Sequence, residues 1–153
     1  MSVEPAGEVA ELIGLLGLEV HPEGGWFRRT WTAPGPTGGR ATASSILYLI
    51  DGATVSRWHR IDASELWNHA AGAPLELTVA AGSLESAEQG DRLTRSVLGP
   101  DLHDGHAPQA VVDPGHWQCA RSLGEWSLAV CVVSPEFRFE GFELAPPDSA
   151  GTG

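Results

Sequence analysis

The sequence predicts an all-β domain, built as a sandwich or a barrel, with one helix near its N-terminus. Short segments with alternating apolar residues recur along the chain, and turn signals separate them about every 8–12 residues, which is typical of these architectures. The 19 glycines and 11 prolines are spread over the 153 residues, as many tight turns require. Since the sequence has no internal repeat and no linker, residues 8–146 are expected to form one domain.

The helix is predicted over residues 8–18, where apolar residues from Val9 to Leu16 recur at helical spacing. Gly17 is expected to end this helix, because glycine readily adopts the left-handed conformation found just after helix ends. Residues 1–7 are predicted to be an N-terminal tail, and residues 147–153 to be a disordered C-terminal tail.

About ten short strands are predicted after the helix, because β-branched and aromatic residues are concentrated in short alternating runs. Residues 33–40 contain several prolines and glycines and are predicted to form a loop, and Asp51-Gly52 is a turn signal. The predicted strands span residues 25–32, 44–50, 54–61, 65–70, 75–80, 93–98, 110–112, 117–121 and 126–133.

The amino-acid composition argues against some classes of binding partner. With 9 Lys and Arg against 20 Asp and Glu, the net charge is −11, which argues against binding to nucleic acid or to an anionic membrane. No apolar run approaches the roughly 20 residues of a membrane span, and the acidic start lacks the basic region of a signal peptide. Cys119 and Cys131 lie in apolar runs and are expected to be buried free thiols, which fits the reducing cytoplasm.

The stretch HRIDASELWNHAAG, which begins at His59, places two histidines and a carboxylate at strand-like spacing. Side chains two residues apart share a strand face, so His59 and Ile61 share one face, and Glu65 and His69 share another with the tryptophan between them. We expect two antiparallel strands, joined near residues 62–64, whose two faces meet inside a barrel. An imidazole and a carboxylate that converge there can share a proton or bind a metal.

These residues resemble the cupin superfamily, whose first motif combines a glycine, a His-x-His pair, a glutamate and a second glycine. The residues at these motif positions are here Gly52, His59, Ile61, Glu65 and Gly72. The spacing after Gly52 is one residue longer than in the superfamily motif. The second motif, PxGxxHxxxN, reads DPGHWQCARS, with Gln118 where the superfamily has a histidine. The resemblance implies a double-stranded β-barrel of the jelly-roll type that keeps His59 and Glu65, two of the four usual metal ligands.

The wider chain resembles one branch of that superfamily, which is catalogued as a domain of unknown function. Its marks are HPEGGWFRRTW at residues 21–31, WHRIDASELW at 58–67, GHWQCA at 115–120 and CVVSPEFRFEGFELA at 131–145. The resemblance spans roughly residues 9–146 and implies the fold without implying a particular reaction.

A catalytic set of His59, Glu65 and Tyr48 is predicted for a metal-independent isomerase or epimerase. Nucleotide-sugar epimerases share the cupin barrel and use a histidine base with a tyrosine acid, so the resemblance implies that His59 abstracts a proton α to a carbonyl. Glu65 would orient the imidazole and raise its pKa, and Tyr48 would return the proton. The other residues predicted to contact a small organic ligand are Gln118, Gln109, His69, Trp67, Trp26 and Trp117.

Two alternative functions stay open. In a metal-dependent cupin, a dioxygenase or an isomerase, His59 and Glu65 with Gln118 or His69 would hold Fe, Ni, Mn or Zn. In a non-catalytic sensor or carrier, an aromatic pocket would only bind the ligand. Because Ile61 has no donor atom and Gln118 is a poor ligand for a transition metal, no obligatory metal cofactor is expected.

The segment HPEGG at residues 21–25 precedes an apolar strand. Its two glycines allow a bulge or a close approach of backbones, and Glu23 is expected either to pair with Arg28 or Arg29 or to lie in a local turn. Residues 26–31 would form an exposed apolar edge in a monomer. Since an N-terminal strand of cupins often joins the partner's sheet, the resemblance implies a homodimer.

Overall fold

The computed structural model describes residues 5–147, which form two facing antiparallel sheets preceded by a helix. The predicted all-β class with an N-terminal helix is therefore confirmed. The predictions for residues 1–4 and 148–153 lie outside the described residues. No helix within residues 5–147 is long and apolar enough to cross a membrane.

The elements are numbered along the chain. The helices are α1, Gly7–Leu16, and α2, Leu84–Glu88, with short 3-10 turns at Leu102–Asp104 and Phe139–Gly141. The strands are β1 Glu19–Val20, β2 Trp26–Ala33, β3 Ala43–Asp51, β4 His59–Ile61, β5 Ser64–Gly72, β6 Leu75–Ala80, β7 Leu93–Leu98, β8 Gln109–Val112, β9 Trp117–Ser122, β10 Trp126–Ser134 and β11 Phe142–Leu144.

The larger sheet has the strand order β1-β2-β3-β10-β5-β8, and the smaller sheet has the order β11-β4-β9-β6-β7. Consecutive strands therefore often belong to different sheets, and the chain crosses repeatedly from one sheet to the other. This crossing gathers side chains from distant parts of the sequence around one interior.

Helix α1 ends at Leu16, directly before Gly17 as expected, although the predicted range extended to residue 18. Gly17 takes a left-handed conformation with φ of 64°, and its N–H bonds to the carbonyl of Gly14, so the helix cannot continue. Helix α2 was not predicted, because a segment of five residues is too short to show helical periodicity. The hydroxyl of Ser83 caps α2 by accepting the N–H of Ser86.

The predicted strand at residues 54–61 is wrong over most of its length, since only His59–Ile61 is a strand. The preceding residues are irregular, with backbone hydrogen bonds from Ser56 to the carbonyl of Ala120 and from Arg57 to the carbonyl of Glu23. These bonds bind the segment to β9 and to the loop before β2. Strands β1 and β11, of two and three residues, are too short to show an alternating pattern.

Strands β4 and β5 do not pair with each other, contrary to the expected hairpin. Strand β4 pairs with β9 and β11, whereas β5 pairs with β10 and β8. The chain changes sheet between them at Asp62, whose N–H bonds to the carbonyl of Gly141 and whose carboxylate accepts two hydrogen bonds from Arg40. The inner faces of β4 and β5 therefore meet across the interior.

The interior is packed at one end and open at the other. The packed end is filled by a cluster of fully buried side chains from both sheets: Tyr48, Ile50, Trp67, Leu75, Leu77, Leu98, Val112, Ala120, Ala129 and Cys131. Along β3, the residues nearer the start, Ser44 and Ile46, line a cavity, whereas Ile50 lies in the packed cluster. Strand alternation thus supplies both the core and the cavity wall from the same face.

Gly72 ends β5 at a point where no side chain fits. It has φ of 76°, and an added Cβ would lie 2.5 Å from the indole ring of Trp126. Gly90 has φ of 75° and open space around it, which makes it a matched control.

We therefore expect Gly72→Ala to lower the free energy of unfolding by about 2–5 kcal/mol, because left-handed strain and a steric clash add. Gly90→Ala carries the conformational strain alone and should cost about 1–2 kcal/mol. Chemical denaturation monitored by tryptophan fluorescence measures both values. Equal losses for the two variants would contradict the clash with Trp126.

Candidate functional site

A cavity of about 250 Å³ occupies the open end of the interior. Aromatic side chains form much of its wall, and they come from β2, β3 and the segment that contains β11: Phe27, Tyr48, Phe137, Phe139 and Phe142. Its size lies just below the range of about 300–1,000 Å³ that is usual for small-molecule pockets. The cavity therefore suits a ligand smaller than a nucleotide.

The ionisable side chains in the cavity wall include His21, Glu23, His59 and Glu65, all of them buried. His59 is the first residue of β4 and Glu65 the second of β5, so they enter the cavity from opposite sheets. The structure thus brings together two of the residues that the strand spacing placed on inner faces. His21 and Glu23 come from the loop before β2.

Glu23 contacts His59 directly, and its role was missed by the sequence analysis. The Oε2 atom of Glu23 lies 2.6 Å from Nδ1 of His59, which also lies 2.9 Å from the carbonyl oxygen of Arg57. The expected pairing of Glu23 with arginine is wrong, because Arg28 donates to a helix carbonyl and Arg29 donates to Glu136. The alternative expectation, that Glu23 lies in a local turn, is correct for its backbone. It did not include the side chain of Glu23, which points into the cavity.

A tight loop at residues 21–25 places Glu23 inside. The N–H of His21 bonds to the carbonyl of Gly25, and the N–H of Gly24 bonds to the carbonyl of His21. Gly25 has φ of 78°, and an added Cβ would lie 2.6 Å from the carbonyl oxygen of Leu49. The Gly-Gly pair after Glu23 was the one sequence signal for this inward fold, since it marks close backbone approach.

His21 is a neutral partner in this cluster. Its Nδ1 accepts the backbone N–H of Glu23 at 3.1 Å, which places the ring proton on Nε2. Burial lowers the pKa of His21, and the nearby charge of His59 lowers it further, against the opposing effect of Glu23. His21 therefore supports Glu23 without sharing its charge.

Tyr48 also lines the cavity, and its hydroxyl donates a 2.6 Å hydrogen bond to the carbonyl of Gly24. Burial raises the pKa of Tyr48 well above its usual range, and the charge of Glu23 raises it further. The phenol therefore holds its proton on the loop backbone, which makes it a poor donor for the predicted return of a proton to a ligand.

His59 carries a proton at neutral pH. Burial is the largest single influence and acts to lower the pKa of His59, but the charge and hydrogen bond of Glu23, with the charge of Glu65, raise it to about 9. The pKa of Glu23 lies below its usual range, although burial alone would raise it. The carboxylate that mainly raises the pKa of His59 is thus Glu23, not the predicted Glu65.

Glu65 has a different electrostatic environment. Burial, its largest influence, and the nearby charge of Glu23 raise the pKa of Glu65 to about 7, against the opposing effects of His59 and Gln118. The carboxyl group therefore gains and loses its proton near neutral pH, which suits it to accept a proton from a ligand.

Gln118 connects this site to the packed core. Its Nε2 donates to Oε2 of Glu65, and its Oε1 accepts the indole N–H of Trp67, both at 2.8 Å. Gln118 is fully buried and lies behind the cavity wall, as does Trp67. The two residues predicted to touch a ligand therefore act through Glu65 instead.

His69 and Gln109 do not reach the cavity, so the prediction that they line it is wrong. His69 is four residues after Glu65 on β5 and therefore lies on the same face of the strand. It is farther along the strand than the cavity, and its Nε2 faces the carbonyls of Gly72 and Ala73. Gln109 starts β8 and is exposed, and its amide donates to the side chain of Asn68, its cross-strand partner. His69 was placed by strand parity, which does not give position along the barrel, and Gln109 only by the hydrogen-bonding capacity of its amide.

Trp26 and Trp117 are also outside the cavity wall. Trp26 lies on β2 between Val20 of β1 and Leu49 of β3. Trp117 packs in a second buried cluster, with its ring under the guanidinium of Arg60 at 4.8 Å.

Three of the five aromatic side chains in the wall are instead phenylalanines after β10. Phe137 and Phe139 lie two residues apart, but residues 135–141 belong to no strand, so their place in the wall depends on tertiary contacts.

The residues present do not fit a cupin metal centre. Ile61 has no donor atom, and both polar atoms of the Gln118 amide are engaged with Trp67 and Glu65. Within residues 5–147, no group of three or more His, Cys, Asp or Glu side chains is arranged to hold a metal ion. A transition metal would need a rearranged donor set.

Residues 10–145 match the family described as Cupin superfamily (DUF985). No curated protein matches the chain. Among solved structures, the chain is similar to protein SO0799 from Shewanella oneidensis, with 33% identity and a TM-score of 0.81 over 94% of this chain and 87% of that one.

Two more distant structures share the fold. A hypothetical protein from Leishmania major has 24% identity and a TM-score of 0.77, over 92% of this chain and 88% of that one. A dTDP sugar isomerase from Desulfovibrio desulfuricans has 18% identity and a TM-score of 0.58, over 86% of this chain and 82% of that one. These two likenesses show the fold alone.

Because Glu23 holds the proton on His59, we expect Glu23→Gln to lower the pKa of His59 from about 9 to its ordinary value of 6.5 or below. Titration of the imidazole signals by NMR measures the change. Since the folded-state pKa is the higher one, the stability gained from His59 is full below about pH 6.5 and is lost as the pH rises through about 9.

Glu19→Gln is the matched control, because Glu19 is an exposed carboxylate in the wall of the same cavity. It should leave the titration of His59 nearly unchanged. An unaltered His59 titration in Glu23→Gln would contradict the assignment of Glu23 as the partner of His59.

Proposed function

The chain belongs to the DUF985 family of the cupin superfamily, and on that premise we propose that its cavity binds a small organic molecule with a carbonyl or carboxylate group and moves a proton on it. The observation that carries the proposal is the buried pair of Glu23 and His59, 2.6 Å apart, beside Glu65 in one aromatic wall. A charge pair and a titrating carboxyl group buried together are typical of acid–base sites.

In this proposal, Glu65 is the base and His59 is the electrophile. Glu65 takes a proton from the carbon next to the carbonyl, and the imidazolium of His59 donates a hydrogen bond to the carbonyl oxygen as negative charge develops there. The carboxylic acid of Glu65 then returns that proton, or one exchanged with water, to a carbon of the enolate, which regenerates the carboxylate. The resemblance to nucleotide-sugar epimerases implied instead that His59 is the base. The ion pair with Glu23 supports the exchanged roles, because it keeps the proton on His59 near neutral pH.

Gln118 and Glu23 are positioning residues in this proposal. Gln118 directs the carboxyl group of Glu65 through one oxygen, Oε2, which leaves Oε1 outside that bond. Glu23 and the carbonyl of Arg57 orient the ring of His59 from its Nδ1 side. The reaction class is an isomerisation or epimerisation through an enolate, and the chemistry requires no obligatory metal.

The decisive experiment is exchange of the α-proton with deuterium in D2O, followed by proton NMR. The compounds are pyruvate, 2-oxobutanoate, lactaldehyde and phenylacetaldehyde, each with purified untagged protein. We expect exchange to rise as the pH passes about 7, where Glu65 loses its proton, and to fall above about 9, where His59 loses its own. Dialysis against EDTA should leave the exchange rate unchanged.

Glu65→Gln should slow the exchange by about 10²–10⁴-fold, because the amide cannot accept the proton. Glu76→Gln is the matched control, since Glu76 pairs with Arg121 outside the cavity and should leave the rate unchanged. Binding without exchange would support the non-catalytic carrier, and loss of exchange on chelation would support the metal-dependent alternative. Neither binding nor exchange with any compound would overturn the proposal.

We also propose that the chain forms a homodimer through the outer edge of β2. Strand β1 covers that edge only at Trp26 and Phe27, and within residues 5–147 no other strand pairs with the rest of it. The uncovered part contains Trp31, which is 52% exposed. An uncovered edge with a large apolar side chain favours pairing with a second copy.

Light scattering should therefore give a mass of about twice the chain mass of 16.1 kDa. Trp31→Lys should halve that mass, because it places a charge in the paired edge. Leu102→Lys is the control, since Leu102 is 65% exposed but lies on a distant 3-10 turn. A monomer at every concentration of the native protein would refute the dimer.

The cysteines support a reducing location, which we propose to be the cytoplasm. Cys119 and Cys131 are both buried and free. Burial raises the pKa of Cys119 to about 12 and that of Cys131 well above its usual range, so both remain unreactive thiols. Free thiols of this kind are common where disulfides do not form.

A further inference from the structure

The cavity has a polar inner end, and at its mouth an exposed aromatic ring lies beside Glu19 and Arg29, which are also exposed. At the inner end lie Tyr48, fully buried, and His59 and Glu65, which are 3% and 7% exposed. At the mouth lies Phe139, which is 59% exposed although its ring also lines the cavity. One end of a ligand that fills the cavity therefore contacts the ionisable groups at the inner end. Its other end contacts the ring of Phe139 at the mouth.

Phe139 is held in place by other aromatic rings. Its ring centroid lies 5.0 Å from that of Phe137 and 6.3 Å from that of Phe142, both in edge-to-face orientation. Arg29 fixes the same wall by donating to the carbonyl of Phe137 at 2.9 Å. The exposed face of Phe139 is thus a preformed apolar surface that a bound ligand can cover.

The cations in the cavity wall are already paired. His59 faces Glu23 at 2.6 Å, and Arg29 faces Glu136 at 3.2 Å. Glu19 and Glu65 line the same wall, and neither of them neutralises a cation there by a salt bridge. Among residues 5–147, the part of the chain that the structure describes, no cation in this wall is left to meet a phosphate or other strongly anionic group, which would enter a site with surplus negative charge.

We propose that the ligand is an uncharged amphipathic compound, with a carbonyl group at the inner end and an apolar, preferably aromatic, substituent against Phe139 at the mouth. This inference rests on the proposed function and specifies its substrate class. It excludes phosphorylated compounds and nucleotide sugars, although the cavity belongs to a fold that includes a dTDP sugar isomerase.

The test compares three small compounds that differ in one feature each. Mandelamide is neutral and aromatic, mandelate has the same ring with a carboxylate, and lactamide replaces the ring with a methyl group. Isothermal titration calorimetry at neutral pH should give mandelamide an affinity at least about tenfold higher than the other two. Phenyl phosphate, the strongly anionic probe, should not bind.

Phe139→Ala should lower the affinity for mandelamide about tenfold and leave that for lactamide unchanged, because only the aromatic compound reaches the mouth. Leu102→Ala removes an exposed apolar side chain outside the cavity and should change neither affinity. Phe139→Leu tests for a merely structural effect, since it keeps an apolar surface and should retain most of the affinity.

Two outcomes would overturn the substrate class, and they differ in what they mean for the proposed function. If mandelate or phenyl phosphate binds as tightly as mandelamide and His59→Gln abolishes that binding, the cavity is a binding site but its ligand is anionic. If none of these compounds binds, the neutral aromatic class is wrong, and deuterium exchange with the smaller carbonyl compounds decides the proposed function separately.

Discussion

The buried contact between Glu23 and His59 is the interaction on which the rest of the site depends. Removing two charges from water costs several kcal/mol for each ion, and the cost is offset only when the partners lie close together with further hydrogen bonds. Here the carbonyl of Arg57 gives His59 a second polar contact at Nδ1, and backbone hydrogen bonds within the loop from residues 21 to 25 hold Glu23 in position. The loop before β2 is therefore part of the site, and any change that displaces it leaves His59 buried without its counter-charge.

The packed core holds the side chains of the site in place, because core residues and cavity residues lie on the same faces of the same strands. Along β5, Trp67 belongs to the packed cluster, whereas Glu65, two residues earlier, lines the cavity. Gln118 joins the two by bonding to both side chains. An amide has a donor and an acceptor, so one side chain can satisfy a buried indole N–H and a carboxyl group together.

The same residues explain why this barrel departs from a metal-binding cupin. Ile61 and Gln118 occupy two positions where the superfamily has metal ligands. Ile61 packs in a hydrophobic cluster, and Gln118 forms a hydrogen bond with Glu65. Ile61 is buried with Val133 beside the cavity. What remains at the inner end is the ion pair of Glu23 and His59 beside Glu65, whose pKa is raised to about 7, enclosed by aromatic side chains.

The sequence by itself determined the features that depend on local periodicity: most strands, the helix that ends before Gly17, and the inward direction of His59 and Glu65. The crossing of the chain between β4 and β5, the position of Trp117 and the partnership of Glu23 with His59 were decided only by the tertiary structure. Alternation reports which face a side chain takes, whereas sheet assignment and irregular loops depend on contacts between residues far apart in the chain.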